Sequence, residues 1–371
     1  DRAGRRMEDV RDPAGSGGRG EEHVRVSEAR AVAARWAAAY TERTPGCAGA
    51  FVSGSAAWLP GDAELPVTSD VDVLLVTEEG ARPARPAPGK FRREGVLIEG
   101  SDLPGEEIAT PGRVLGSYYL AGSFRTDTVL ADPSGRLAAL RDAVAPEFTR
   151  RRWVRRRCAH AERRITGGLA RLDVSAPPHD RVTGWLFPAG VTAHVLLTAG
   201  LRNPTVRRRY SAVRELLDGH GRPQLTEELL ALLGCDGMSA VRVERHLRAM
   251  AEAFDEAARV AVTPYPFSSD ITPRARAVAV DGSRALITSG HHREAVFWIA
   301  ATYARCCRIL AADAPPESAA RHAAGFAELA ADLGVGTPGA LRARAGEVAA
   351  FLPRLREAAA EITAACPQVR D

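Results

Sequence analysis

Two acidic residues in the first third of the chain have the types and spacing of a metal site. Asp70 and Asp72 flank the first residue of an apolar, β-branched run over 71–76, which predicts a buried strand. Because alternate residues of a strand face the same side, the two carboxylates point together. Paired carboxylates near a core repel each other and are costly to bury without a cation. The pair therefore predicts a Mg²⁺ site, with turn or cap chemistry at the strand start as the alternative.

Two further features could join this pair. Gly54-Ser55 follows a predicted strand and forms a turn where backbone approaches a phosphate closely and a hydroxyl donates to it. Glu99 ends another predicted strand and would supply a third acid on the same sheet. Three acids on adjacent strands beside a Gly-Ser turn form a two-metal site for phosphoryl or nucleotidyl transfer. The alternative for Glu99 is a solvated strand-end carboxylate, and Asp102 is its nearest competitor as the third acid.

At these residues the sequence resembles the nucleotidyltransferase superfamily of DNA polymerase β-like enzymes. The family pattern is a strand, Gly-Gly or Gly-Ser, a spacer, acid-x-acid between apolar residues, and an acid on a later strand. Here it reads Gly54-Ser55, Asp70-Val71-Asp72 and Glu99. The chain departs from the pattern in a slightly long spacer before Asp70 and in Ser53, where an apolar residue is more usual.

The resemblance implies roles for these residues. Asp70 and Asp72 would hold Mg²⁺ on a nucleoside triphosphate, with two ions expected in all. Gly54, Ser55 and Ser69 would contact its β- and γ-phosphates. Glu99 would either complete the second metal site or take the proton from an attacking hydroxyl.

The expected activity is transfer of an NMP from an NTP, expected to be ATP, to a hydroxyl of a small polar molecule, with release of pyrophosphate. The small-molecule branch of the family, which includes aminoglycoside nucleotidyltransferases, adds a helical C-terminal domain, as this chain is predicted to do. Antibiotic resistance and natural-product biosynthesis fit equally well. Two alternatives stay open: transfer to a protein or RNA, as in toxin–antitoxin systems, and a catalytically inactive nucleotide-binding sensor.

Composition sets outer limits on these hypotheses. The chain has 371 residues, which suits two domains, and 45% of them are hydrophobic. A net charge of +4 is too small to indicate nucleic-acid binding by itself. Six cysteines without a CxxC pair are typical of reduced thiols in a cytoplasmic protein. No run of about eighteen apolar residues and no signal peptide are visible, so we expect no membrane span.

Periodicity predicts an α+β fold with three parts. Residues 1–22 form a polar, Gly-rich tail that we expect to be flexible. Residues 23–145 form a small mixed-sheet nucleotidyltransferase domain, and residues 146–371 form an all-α helical bundle. Strands are predicted over 47–52, 71–76, 95–99 and 129–131, the last at an edge, with an exposed loop over 78–90. Helices are predicted over 24–40, 136–144, 148–172, 183–200, 206–218, 226–233, 239–259, 290–310, 318–333 and 339–365.

The segment around Arg207 is the best motif outside the first domain. Thr205 could N-cap the helix predicted over 206–218, which places Arg207 and Arg209 in its first turn. A helix N-terminus favours anions and disfavours cations, so arginines there indicate a compensating anion. That anion is either a nucleotide phosphate or a carboxylate of another helix, and Arg207 is accordingly a candidate nucleotide-binding residue.

The helix predicted over 148–172 is rich in arginine and carries Trp153. Its arginines could be a solvated face, a triphosphate clamp or a nucleic-acid surface. An apolar stripe on the same helix, which favours the solvated face, consists of Val154, Cys158, Ala161 and Ile165.

Three weaker candidates lie in other helices. His291 and Glu294 open a helix and could form a polar cluster in the cleft between the domains, or simply serve hydrogen bonds at the helix start. His194 lies in an apolar helix and is expected to be a core histidine with satisfied hydrogen bonds. A cationic aminoglycoside would need acids in the cleft, for which Asp255 and Glu256 are candidates.

Overall fold

The computed structural model describes residues 24–66, 68–81 and 87–371, so the tail predicted over 1–22 lies outside the described residues. Within those ranges the chain is α+β, with one five-stranded mixed sheet and thirteen α-helices. The predicted α+β class is confirmed at this level. The domain boundary at 145–146 stays a prediction.

The sheet has the strand order β3-β4-β2-β1-β5. Its strands are β1 (Cys47–Val52), β2 (Val71–Thr77), β3 (Gly89–Arg93), β4 (Val96–Pro104) and β5 (Val129–Ala131). β2 and β4 run parallel and the other neighbours are antiparallel. The strands predicted over 47–52, 71–76 and 129–131 are present, the last at the edge as expected.

β3 was not predicted, and its first two residues, Gly89 and Lys90, were assigned to the loop over 78–90. Glu94 and Gly95 join β3 to β4, and both have a positive φ, of 48° and 79°. A two-residue turn with two positive φ angles matches the twist of an antiparallel hairpin, so the chain folds back at once. This hairpin carries Lys90 into the sheet, and β4 continues five residues beyond the predicted end at Glu99.

The two faces of the sheet have different cover. The helix α1 (Val26–Arg43) packs on one face against alternate residues of β2, which include Val71, Val73 and Leu75. On the other face Phe51 and Val76 pack against short helices that follow β4. Asp72 lies between Val71 and Val73, so its side chain faces away from α1. The acidic residues therefore share the face opposite α1.

The remaining helices begin and end within a few residues of the predicted bounds, except at three places. The segment after β1 is a short helix instead of an open turn. Two further helices, Pro111–Gly116 and Gly282–Thr288, were not predicted. The second of these continues a π-helical turn, Ala277–Asp281. The helices after α1 are α2 (Gly54–Trp58), α3 (Pro111–Gly116), α4 (Arg136–Val144), α5 (Arg151–Ala170), α6 (Pro178–Ala199), α7 (Arg209–Gly219), α8 (Pro223–Leu232), α9 (Ala240–Val260), α10 (Gly282–Thr288), α11 (His292–Asp313), α12 (Pro316–Asp332) and α13 (Pro338–Ala365).

α6 and α11 form the centre of the helical part. Both are long and apolar enough to cross a membrane by length and composition alone. Their most apolar windows are, however, 83% and 72% buried inside the fold. Apolar residues all round a helix are also typical of the core of a bundle, so these two helices are compatible with a soluble protein.

α5 has its arginines on several sides. Val154, Ala161 and Ile165 are buried as predicted, and Arg157 is buried with them at 2% exposure. The Arg157 guanidinium donates to the carbonyl oxygens of Leu115 and Phe148, at 3.2 and 2.7 Å. One arginine of the predicted basic face thus serves the fold by satisfying carbonyls between the sheet part and the bundle.

Candidate functional site

The strand register places three charged residues in a row across the sheet. Asp72 of β2 is the direct partner of Glu99 of β4, and Glu99 is the direct partner of Lys90 of β3. Asp70 lies just before β2 and shares the side-chain face of Asp72. Three carboxylates and one amine therefore lie close together on the face of the sheet opposite α1.

Asp70, Asp72 and Glu99, here called the acidic triad, come together as the sequence predicts. Each offers one carboxylate oxygen, and these oxygens lie within 4.8 Å of one another. A cluster of this size could hold a metal ion. Asp102 does not compete, because its exposed carboxylate accepts the Ala87 N–H at 2.9 Å.

The triad carries strong mutual repulsion. Burial, and then the charges of Asp70 and Glu99, raise the pKa of Asp72 well above its usual range. Burial also raises the pKa of Glu99, although Lys90 opposes the rise. Among the described residues no cation forms an ion pair with Asp72. A bound cation is the simplest way to keep all three carboxylates ionised together.

The backbone of Gly54 lies directly against the Asp72 carboxylate. Its φ is +58°, in the left-handed region, and a Cβ built on it would lie 1.8 Å from Asp72 Oδ2. The Ser53 N–H also donates to the Asp72 carbonyl oxygen at 2.8 Å. Only glycine fits at this position, so Gly54 is required by the close approach of backbone to carboxylate. Phosphate contact by Gly54 stays a prediction.

Lys90 is a site residue that the sequence analysis missed. Its side chain is 6% exposed, and its Nζ donates to carboxylate oxygens of Asp70 and Glu99. A fourth acid, Asp270, lies 3.3 Å from the same Nζ. Burial lowers the pKa of Lys90, but the surrounding carboxylates outweigh burial and raise it above its ordinary value. The Glu94-Gly95 hairpin turn was the signal that could have placed Lys90 beside Glu99.

The helical bundle supplies two arginines to the same site. Arg305 of α11 bonds Asp270 at 2.7 Å, on the side of Asp270 away from Lys90. Arg207 lies 4.5 Å over the ring of Trp298, whose Nε1 donates to the Arg207 carbonyl oxygen at 2.8 Å. The Arg207 Nη2 is buried and has no hydrogen-bond partner among the described residues. Asp270, Arg305 and Trp298 have no local sequence motif that could have identified them.

Arg207 lies at the site, but it is not in the first turn of a helix capped by Thr205, as was predicted. α7 begins at Arg209 and not at residue 206, so Arg207 precedes the helix. Asn203 Oδ1 accepts both the backbone N–H and the hydroxyl of Thr205, at 3.1 Å each. This side-chain turn holds Thr205 outside the helix, so that Thr205 caps nothing.

These residues surround a cavity of about 190 Å³, here called the triad cavity. Besides the triad, its walls include Ser55, Ser69, Lys90, Arg207, Asp270 and Arg305. A neighbouring cavity of about 340 Å³ shares Ser55, Ser69 and Arg207 with it. The predicted nucleotide-binding residues Ser55, Ser69 and Arg207 therefore lie together and share the triad cavity with the three acids.

Two of the weaker candidates lie elsewhere. Glu294 is 5% exposed and accepts a hydrogen bond from Arg214 Nε at 2.5 Å. Neither Glu294 nor His291 lines the triad cavity. His194 is buried as expected, but both its ring nitrogens lack a partner among the described residues. The expected core position is confirmed, whereas the expected hydrogen bonds are not found within the described part of the chain.

The acids considered for a cationic acceptor are already paired with other side chains of the helical part. Asp255 pairs with Arg276 at 2.7 and 3.0 Å. Glu256 accepts hydrogen bonds from Ser318 and from His322, the latter at 2.9 Å. Neither acid lines the triad cavity, and none of the α5 arginines does so either.

The chain was also compared with known proteins. Models of protein families, curated proteins and solved structures gave no match. The interpretation of the site therefore depends on its own geometry and charge.

Proposed function

We propose that the protein is a Mg²⁺-dependent nucleotidyltransferase that moves an NMP from an NTP to a hydroxyl of a small molecule. One observation carries the proposal: three carboxylates within 4.8 Å of one another share a cavity with Arg207, whose guanidinium has a nitrogen without a hydrogen-bond partner among the described residues. The carboxylates suit a hard cation, and the guanidinium suits a phosphate. A metal–triphosphate is a ligand that satisfies both at once.

The donor set fits magnesium. The three triad residues offer only oxygen atoms, which Mg²⁺ prefers over nitrogen and sulfur ligands. Asp72 has no ion-pair partner among the described residues, and its raised pKa shows that the metal-free site disfavours its charge. When bound by the triad, magnesium would neutralise charge on the phosphates of the NTP and on the leaving pyrophosphate.

The protein residues have separate tasks in this proposal. Ser55 and Ser69 donate hydroxyl hydrogen bonds to the β- and γ-phosphates, and Arg207 supplies positive charge to the same group. Gly54 fixes the Asp72 carboxylate by closing the space above it. These contacts hold the α-phosphate in place for attack, so most of the rate enhancement comes from positioning and electrostatics.

The transfer step balances without a further reactant. The acceptor oxygen forms a bond to the α-phosphorus while the bond to the bridging oxygen breaks, and pyrophosphate leaves with that electron pair. The proton of the acceptor hydroxyl passes to a base or to water. Glu99 is suited to accept it because burial raises the pKa of its carboxyl. Glu99 could instead be a ligand of a second metal ion, and the two roles stay open.

A direct test is pyrophosphate release from each NTP with Mg²⁺, screened over small hydroxyl acceptors. Asp72→Asn should abolish release, while Asp102→Asn, a neighbouring acid outside the triad, should leave it unchanged. A structure with a non-hydrolysable NTP and Mg²⁺ should show the metal on Asp70 and Asp72. Metal bound elsewhere would contradict the proposal.

Lys90 favours a second candidate, a nucleotide-binding sensor without transfer. Its amine already pairs with Asp70 and Glu99, which are two of the three predicted metal ligands, and offsets one of their two charges. A protein that uses this lysine in place of a metal ion would bind NTP equally well with Mg²⁺ or EDTA and would release no pyrophosphate. Transfer predicts the opposite: NTP binding that depends on Mg²⁺, with turnover.

Both functions are consistent with a cytoplasmic protein that uses the NTP pool. The acceptor is expected to be a small molecule, and a nucleic acid is not the expected partner. Several α5 arginines are engaged locally; Arg152 contacts Glu147, and Arg151 pairs with Asp371 at 2.5 Å. Antibiotic resistance and biosynthesis both fit this expectation.

A further inference from the structure

A third cavity, of about 580 Å³, lies between α5, α6 and the turn before α7. Thr205 lines both this cavity and the triad cavity, so the two are neighbours. Its volume is in the range of sites that hold a small molecule. We call it the arginine cavity, because its wall carries Arg164, Arg171 and Arg209.

The charge of this cavity has one sign. None of its described wall residues is an aspartate or glutamate. Arg164 and Arg171 are exposed, and neither forms an ion pair with a carboxylate of the described chain. Three arginines that converge on one space without acids produce a positive potential there. Such a cavity attracts an anion and repels a polycation.

Two buried polar side chains point to a ligand as well. Arg209 is 6% exposed, and its Nε has no hydrogen-bond partner among the described residues. Its guanidinium lies 4.6 Å over the ring of Phe297, which holds the charge in place without neutralising it. His194, also 6% exposed, has two ring nitrogens without partners. These nitrogens have almost no accessible surface, and an unsatisfied buried polar group is costly, so a polar ligand that enters between these side chains would relieve that cost.

The rest of the wall is apolar and spacious. Phe187, Pro188 and Val191 of α6 face the cavity, together with the ring of Tyr118. Gly168 and Gly184 also line the cavity, and Gly168 lets α5 approach Pro188 of α6 closely, since a Cβ at this position would lie 2.4 Å from Pro188 Cγ. Burial and the nearby Arg209 lower the pKa of His194 well below its usual range, so its imidazole is neutral and offers one donor and one acceptor. The cavity thus combines an apolar body site with cationic and neutral hydrogen-bonding groups.

We propose that the arginine cavity binds the acceptor, and that the acceptor is a small anion with a carboxylate or phosphate on an apolar or aromatic body. The assignment as acceptor rests on the proposed transfer function, whereas the preference for an anion does not. It replaces the expectation of a cationic aminoglycoside, since the acids considered for that ligand lie elsewhere. Because Thr205 separates the two cavities, a ligand held by the arginines can present a hydroxyl toward the triad.

The test is isothermal titration of the full chain with three matched probes: para-hydroxybenzoate, its neutral amide para-hydroxybenzamide, and the cationic para-hydroxybenzylamine. We expect the benzoate to bind at least about tenfold more tightly than the amide, because it gains charge-assisted hydrogen bonds, and the amine not to bind detectably. Arg171→Gln should weaken benzoate binding at least about fivefold, since an exposed arginine can be replaced without loss of the fold. Arg163→Gln, an exposed arginine of α5 outside the cavity, should have no effect.

Three results would overturn the anion preference: equal binding of the benzoate and the amide, no binding of any probe, or equal effects of the Arg171 and Arg163 variants. A second arm adds a non-hydrolysable ATP analogue with Mg²⁺. If the analogue displaces the benzoate, the cavity belongs to the nucleotide and not to the acceptor. Titration requires no turnover, so a charge-selective site without pyrophosphate release would contradict only the transfer function. Release with neutral or cationic acceptors alone would contradict only this inference.

Discussion

Replacing Asp72 by asparagine should stabilise the metal-free protein while removing its response to magnesium and nucleotide. The triad oxygens lie within 4.8 Å of one another, and at an effective dielectric constant of about 20 two like charges at that distance repel by about 3.5 kcal/mol. Asp72 faces two such charges, and Lys90 offsets about one of them. Partial protonation of the triad relieves part of the remainder, so we expect a net gain of about 1–3 kcal/mol in unfolding free energy.

The assay is thermal unfolding in EDTA and, separately, in Mg²⁺ with a non-hydrolysable ATP analogue. In EDTA the variant should melt roughly 1–4 °C above the wild type. With Mg²⁺ and analogue at about 1,000 times the dissociation constant, the wild type should gain about 4.1 kcal/mol and the variant almost nothing. The order of stability of the two proteins therefore reverses between the two conditions.

Asp102→Asn is the matched control, because it removes a carboxylate of β4 outside the triad and keeps an acceptor for the Ala87 N–H. It should shift neither melting curve. A variant at Asp72 that is less stable than the wild type in EDTA would refute the repulsion argument. An unchanged response of that variant to Mg²⁺ and analogue would show that the metal binds elsewhere.

Three further predictions concern other residues. Gly54→Ala should reduce transfer at least about 100-fold, because the alanine Cβ would displace the Asp72 carboxylate. The control is Gly80, which has a similar positive φ of 74° but open space around it, so that Gly80→Ala should cost only about 1–2 kcal/mol of stability and no activity. Lys90→Met should destabilise the protein in EDTA by about 3–5 kcal/mol, because it leaves buried acids without their cation. It should also increase the rise in melting temperature that Mg²⁺ produces, and a smaller rise than in the wild type would instead support the sensor function. Hydrogen bonds from Ser318 and His322 lower the pKa of Glu256 to about 2 in the folded protein. The stability that Glu256 contributes is therefore present above its unfolded-state pKa and is lost as the pH falls from about 4.5 toward 2. Glu256→Gln should flatten the dependence of stability on pH over that range, and an unchanged slope would contradict the role of Glu256.

The sequence by itself was sufficient for the acidic triad. An apolar, β-branched run predicts the strand, and because side chains alternate along a strand, Asp70 and Asp72 must face the same side. Glu99 could be added because it ends the next recognisable apolar run. These signals are local, so they survive without knowledge of the fold, and the same is true of the helix periodicity that predicted the bundle.

Features that depend on two separate positions of the chain were harder to predict from the sequence than the periodicity of a single element. Lys90 was assigned to an exposed loop because β3 is short and polar, although the turn at Glu94-Gly95 indicates a hairpin. The start of α7 was misplaced because Asn203, and not the helix, takes the N–H of Thr205. At Thr205 a side chain determines the local backbone conformation, and at Lys90 only the turn that joins β3 to β4 identifies the strand.

Only the tertiary structure decided what surrounds the triad. Asp270 and Arg305 reach it from segments about two hundred residues away along the chain, and Arg207 lies with them because α11 presents Trp298 beneath it. His194 and Arg209 show the same limit, since an apolar helix and a helix start gave no sign of a shared cationic cavity. Local periodicity fixes which way a side chain points on its own element. Which charges then meet depends on how distant elements pack, and for this site that packing set both the unpartnered guanidinium and the sign of the charge in the proposed acceptor cavity.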